Sequence, residues 1–283
     1  MNKKVELKKK LFSLIDKEQF PAASLFYGLP GIGKIEIAQE VGNYLTKNPD
    51  KSVLDLHLFS PNASSGLYAL ETILAIQDKS LMAPYGPGNQ VFILDKPECM
   101  LSSSSNALLK IIEDPLPRSY FIFVSSYPQK IISTLYSRCL KISCPPLSTE
   151  EIKLFLGTNS KLSEEEINSF APLARGSKEK AQKLLYYENE WKKAQALLLS
   201  FSYPLYSSLC STLEKKIAEE AERNNLSFSQ ELQTFLEIVL SWINTSSSLD
   251  KEKALTLADQ AIRAVQHHLK PLHCLENFFL QTR

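Results

Sequence analysis

Long apolar runs are missing from this 283-residue chain. No stretch approaches the roughly 18 apolar residues that a membrane-spanning helix needs. The opening "MNKKVELKKKLFSLIDKEQF" has the lysines of an export signal but not its apolar core. Polar residues interrupt Leu11, Phe12, Leu14 and Ile15, as in an amphipathic helix. A cytoplasmic protein without a membrane partner is expected. Net charge is lacking too: the formal value is +1 at pH 7. No global field draws in nucleic acid, so any DNA contact must be local. Lys3, Lys4, Lys8, Lys9 and Lys10 read as a solvated basic end. Cysteine pairs are absent. Cys99, Cys139, Cys144, Cys210 and Cys274 form no C-x-x-C, and their odd number points to reduced thiols. His267, His268 and His273 precede Cys274 in "QHHLKPLHC", but their spacing is not that of a four-ligand zinc site, and no metal is expected there. Glycine is absent from the last third: seven of nine precede residue 90 and none follows Gly176.

What is present is an ordinary globular composition, 44% hydrophobic and 22% charged, which excludes a disordered chain. Short apolar runs alternate with helical patterns up to "CPPLSTEE". The runs at 22–27, 53–59, 90–94, 120–126 and 139–143 are rich in aromatic and branched residues, with turn residues at their ends. They predict buried strands, and helices are predicted at 33–46, 67–80 and 104–113. That alternation implies an α/β domain with a mostly parallel sheet covered on both faces. After Pro145-Pro146 the strands stop. Ser148-x-x-Glu151 and Ser163-x-x-Glu166 are capping boxes opening helices. Phe228, Leu232, Phe235, Leu236, Val239, Trp242 and Ile243 form a helical stripe read as core packing. The expected domains are 1–146, 147–192 and 193–283, with a soft boundary between the two helical parts.

One motif carries chemistry. "GLPGIGKIEIAQE" at 28–40 follows a predicted strand and opens a predicted helix, the setting of a phosphate-cradling loop G-x-x-x-x-G-K-[ST]. Gly28, Gly31, Gly33 and Lys34 fit that loop. Ile35 stands where a hydroxyl would ligate Mg²⁺, and a hydrocarbon cannot do so. The second strand, "VFILD", ends at Asp95, a carboxylate suited to hold the metal. Lys96 follows, where a glutamate would orient the attacking water, and an ammonium cannot act as that base.

Residues 94–139 add a longer signature: Asp95, "NALLKIIEDP" at 106–115, "YPQK" at 127–130 and Ser137-Arg138-Cys139. In that order and spacing they resemble the bacterial clamp-loader subunits, AAA+ proteins that open the sliding clamp of the replicative DNA polymerase. The resemblance implies an AAA+ P-loop parallel-sheet domain followed by a small helical lid domain and a C-terminal helical collar domain. It implies partnership with clamp-loader motor subunits, a delta subunit and the sliding clamp, with primer-template DNA met inside the assembled ring. It also makes Arg138 an arginine finger reaching into the next subunit's ATP site, and Ser126 the sensor position on the fourth strand. The family holds ATP-hydrolysing motors and a non-hydrolysing stator. Ile35 and Lys96 point to the stator, as does "GSKEK", where Glu179 replaces the motors' nucleotide-sensing arginine. No cofactor is then required, and ATP or ADP binding is at most vestigial. The four-cysteine zinc module of many relatives has no counterpart in 44–57. The alternatives are a divergent motor that hydrolyses ATP itself, with metal held through Asp95, and a P-loop adaptor outside replication.

Overall fold

The structure is a computed structural model describing residues 3–47, 55–62, 65–85, 88–160, 162–200, 202–223, 228–243, 251–266 and 271–282. The chain falls into two compact units, Met1–Ile152 with Arg175–Glu179, and Lys153–Ala174 with Lys180–Arg283.

In the first unit a helix, α1 (Lys3–Asp16), precedes five strands: β1 (Ala23–Tyr27), β2 (Leu56–Phe59), β3 (Gln90–Asp95), β4 (Ser119–Ser125) and β5 (Leu140–Ser143). They form one sheet in the order β2-β3-β4-β1-β5, and every pairing is parallel. Helices α2 (Lys34–Thr46), α3 (Leu70–Ser80) and α4 (Ser102–Glu113) lie between strands, and the short α5 (Ser133–Arg138) leads into β5. This is the α/β sheet the apolar runs predict. The run at 53–59 yields a strand only from Leu56, residues 53 and 54 lying outside the described set. The helix expected from residue 67 begins at Leu70.

Both faces of the sheet are covered, which is why its strands read as continuous apolar runs rather than alternating ones. Successive residues of β3 point to opposite faces. Val91 and Ile93 pack with Ile122, Val124, Leu11 and Ile15 of α1, and Ile37, Val41 and Leu45 of α2. Phe92 and Leu94 pack with Phe121, Phe123, Ile73 and Ile76 of α3, and Leu108 and Ile112 of α4. The rings of Phe92 and Phe121 stack with centroids 5.0 Å apart.

Beyond β5 every regular element among the described residues is a helix: α6 (Thr149–Asn159), α7 (Glu164–Leu173), α8 (Lys178–Tyr186), α9 (Glu188–Leu199), α10 (Tyr203–Arg223), α11 (Phe228–Ile243), α12 (Lys251–Gln266) and α13 (Pro271–Gln281). Both capping boxes form. The Ser148 amide donates to Glu151 Oε2 at 2.8 Å and the Glu151 amide to Ser148 Oγ at 3.2 Å. Ser163 and Glu166 make the same reciprocal pair. Leu232, Phe235, Leu236, Val239 and Ile243 of α11 are buried and Phe228 and Trp242 partly so, which makes five of the stripe's seven residues core. Among the described residues no helix is long and apolar enough to cross a membrane, and no three His, Cys, Asp or Glu side chains gather as a metal site. His267, His268 and the His273 side chain lie outside the described set.

One polar group interrupts the helical core. Glu231 of α11 is fully buried and accepts from Lys183 Nζ of α8 at 2.5 Å and from Tyr187 OH at 2.9 Å. A buried ion pair adds little against an apolar replacement, but losing one partner strands the other charge. Glu231→Ala should therefore destabilise this unit by about 3–5 kcal/mol, read as a lower denaturation midpoint. Glu231→Gln, which keeps an acceptor for Tyr187, should cost less.

Candidate functional site

The C-terminal tips of β1, β3 and β4 form one rim, and the loop 28–33 rises from it. Gly31 and Gly33 hold φ of +69° and +80°, a region that side chains with a Cβ rarely adopt. Gly33 is the N-cap of α2, so the loop runs directly into a helix N-terminus. Lys34, the first residue of α2, is buried. Its Nζ donates to the Leu29 carbonyl at 2.7 Å and to Ser126 Oγ, just past β4, at 2.9 Å. Burial pulls this ammonium below the usual lysine range, and Asp95, Glu98 and Glu179 act in the opposite direction. The geometry thus brings together three of the residues singled out from sequence, Lys34, Ser126 and, one strand over, Asp95.

Ile35 faces elsewhere. Its half-buried side chain packs against the cluster of α1, α2 and the sheet. Asp95 ends β3 half-buried, and burial raises its pKa, with Glu98 adding to the rise while Lys96 and Lys34 oppose it. Lys96 is exposed and adopts φ +51° at the start of a 3₁₀ turn, Pro97–Cys99. That turn curls Glu98 back to β4, where Ser125 Oγ donates to Glu98 Oε2 at 2.7 Å. Glu98 is a rim carboxylate that the sequence reading missed. The signal was Pro97, which favours a tight turn after Lys96 and so returns the next residue to the strand tips.

The segment Arg175–Glu179 lies against the loop. The Lys178 amide donates to the Gly31 carbonyl at 2.9 Å. A Cβ on Gly31 would sit 2.4 Å from Ser177 Oγ and 2.8 Å from Glu179 Oε2. The carboxylate of Glu179 therefore stands at the loop's apex. Lys4 of α1 donates to the Ile32 carbonyl beside it.

Tested against a Mg²⁺-triphosphate, this set divides. Loop amides and Lys34 suit a phosphate. The metal lacks a loop oxygen because Ile35 is committed to packing, and Glu179 sets negative charge against the loop. The residues present do not match the metal–triphosphate pair.

Arg138 has other neighbours. It ends α5, where its Nη1 donates to the Thr134 carbonyl at 2.9 Å and its Nη2 pairs with Glu113 at the end of α4. Leu140 pairs with Ser24 and Ser143 with Tyr27. The chain thus enters β5 from Arg138 at the end of β1 remote from the loop. Four strand residues separate the two ends, roughly 13 Å at about 3.3 Å per residue.

The state of Asp95 gives a pH-dependent expectation. A carboxyl whose folded pKa lies above its unfolded value is best tolerated below the unfolded pKa and penalises folding as pH rises through the folded one. Asp95→Asn should raise the melting temperature at pH 7. The gain over wild type should vanish as pH falls below about 4, measured by thermal unfolding across that range.

Comparison with known proteins places the first half of the chain. A family model described as "DNA polymerase III, delta subunit" matches residues 3–148, just over half of the 283. The DNA polymerase III subunit delta' of Bacillus subtilis is 26% identical over 161 residues, 51% of this chain and 48% of that protein. The DNA polymerase III subunit gamma/tau of Mycobacterium bovis is 29% identical over 140 residues, 44% of this chain and 24% of that one. The chain spans about a quarter to a half of these curated relatives. Among solved structures, a DNA polymerase III gamma-subunit-related protein from Thermotoga maritima superposes with a TM-score of 0.63 at 16% identity, covering 98% of this chain and 100% of that one, a likeness of fold. The family match spans more than half of the chain, which therefore belongs to the DNA polymerase III delta-prime subunit family, the family of the Bacillus subtilis relative.

Proposed function

We propose that this chain is a non-hydrolysing stator subunit of a DNA polymerase III clamp loader, supplying Arg138 in trans to a neighbouring motor subunit. The observation that carries the reading is the position of Arg138, at the end of β1 remote from its own loop. A permanently charged, planar guanidinium stabilises charge on a transferring phosphoryl group. Across the length of a strand it cannot serve its own loop, so it suits another molecule's site.

The chain's own loop supports the same reading. Ile35 gives its position to packing, Lys34 is satisfied by Leu29 and Ser126, and Glu179 abuts Gly31. Gly28, Gly31, Gly33, Lys34, Asp95 and Ser126 would form at most a vestigial nucleotide site, with no cofactor required. In this reading the helical regions 147–192 and 193–283 serve as lid and collar. The partners are motor subunits, the delta subunit and the sliding clamp, and primer-template DNA is met within the ring.

A second reading, a divergent motor, has one observation in its favour: Glu98 brings a carboxylate to the rim near Asp95. It would replace the missing residue at position 96 but not the metal ligand at 35. ATP turnover by the isolated chain separates the two. The stator reading expects none above background, and activity abolished by Lys34→Ala would overturn it.

The trans role is tested in reconstituted rings where only the motor subunit abutting this chain keeps its loop lysine. Arg138→Ala should lower ATP turnover at that site by about 10³-fold or more, the range for arginine fingers, while assembly by gel filtration is unchanged. Turnover equal to wild type would sink the proposal.

A further inference from the structure

Arg138 does not hang free at the end of α5. Its guanidinium is held from two sides, by the Thr134 carbonyl one turn earlier and by Glu113 Oε1 from the last residue of α4. The pair faces solvent, with side chains 39% and 49% exposed, so a second molecule can reach it. A guanidinium offers five N–H donors in a rigid fork. These two contacts leave the others for an incoming anion.

We infer that Glu113 is a positioning residue for Arg138, fixing the guanidinium where a neighbouring subunit's phosphate will meet it. The inference rests on the trans-arginine reading above. A long arginine stem loses rotamer freedom when it engages a phosphate, and a side chain already held loses less. The carboxylate is suited to holding rather than trapping. An exposed ion pair is weak, whereas a transferring phosphoryl group concentrates more negative charge on more oxygens. Glu113 therefore orients the fork in the waiting state without preventing its engagement. Glu113 and Arg138 belong to the two motifs, "NALLKIIEDP" and Ser137-Arg138-Cys139, that the sequence presents more than twenty residues apart. The ion pair gives these separate motifs one shared task.

The test uses the same single-site rings, with ATP as substrate, at about 0.05 and 0.5 M salt. Glu113→Ala should lower kcat about two- to five-fold, leaving KM for ATP and ring assembly unchanged. The loss should shrink at high salt, where the wild-type pair is screened as well. Glu113→Gln, which keeps the acceptor oxygen but not the charge, should fall between wild type and Glu113→Ala. Glu113→Ala/Arg138→Ala should be no slower than Arg138→Ala alone, since a positioning residue has nothing left to position. A wild-type kcat for Glu113→Ala overturns the inference. So does a double variant whose losses multiply, or a loss that tracks lower assembly or melting temperature. If Arg138→Ala itself turns over normally, the finger reading fails and this inference with it. If Arg138→Ala is slow and Glu113→Ala is not, the positioning role alone fails.

Discussion

A parallel sheet cannot leave either face in water, because its crossover helices must pack somewhere and its strands are apolar on both sides. In this chain α1 and α2 cover one face and α3 and α4 the other. The edges of the layers are then the only places where polar side chains from several strands can meet. One edge, at the C-terminal tips, gathers Lys34, Ser126, Asp95 and Glu98. The opposite edge receives the ends of α4 and α5, and with them Glu113 and Arg138. The two groups of charged residues are separated by the length of the strands, so one molecule presents two chemically different rims.

The two rims differ in how their polar groups are engaged. Here the rim bearing the loop is occupied from within: Lys34 bonds to Leu29 and Ser126, Lys4 to Ile32, and Glu179 leans on Gly31. The lysine contacts each give a donor its acceptor, while Glu179 sets a carboxylate beside the loop. To engage a phosphate, Lys34 would have to exchange these hydrogen bonds for new ones.

Much of the first unit was legible in the sequence. Five runs of branched and aromatic residues became five strands within a few residues of their predicted ends, because burial on both faces leaves little ambiguity in such runs. The capping boxes were equally readable, since both partners lie three residues apart on one chain. Glu98 was not, because its place depends on a 3₁₀ turn beginning at a residue of positive φ, Lys96. Nor was the contact between Glu179 and Gly31, which joins residues nearly 150 positions apart through backbone packing. The ion pair of Arg138 was hidden for the same reason. Its two residues sit at the ends of helices whose relative placement only the assembled sheet determines.

Ile35 carries a consequence for substitutions in the loop. Its side chain contributes to the cluster under α1 and α2, so the position serves packing. Placing threonine there would withdraw apolar surface from that cluster and bring a hydroxyl against it, a penalty on the order of 1–2 kcal/mol for a half-buried site. The fold thus works like a latch at position 35: a side chain that could offer an oxygen to the loop is resisted by the packing that the hydrocarbon provides.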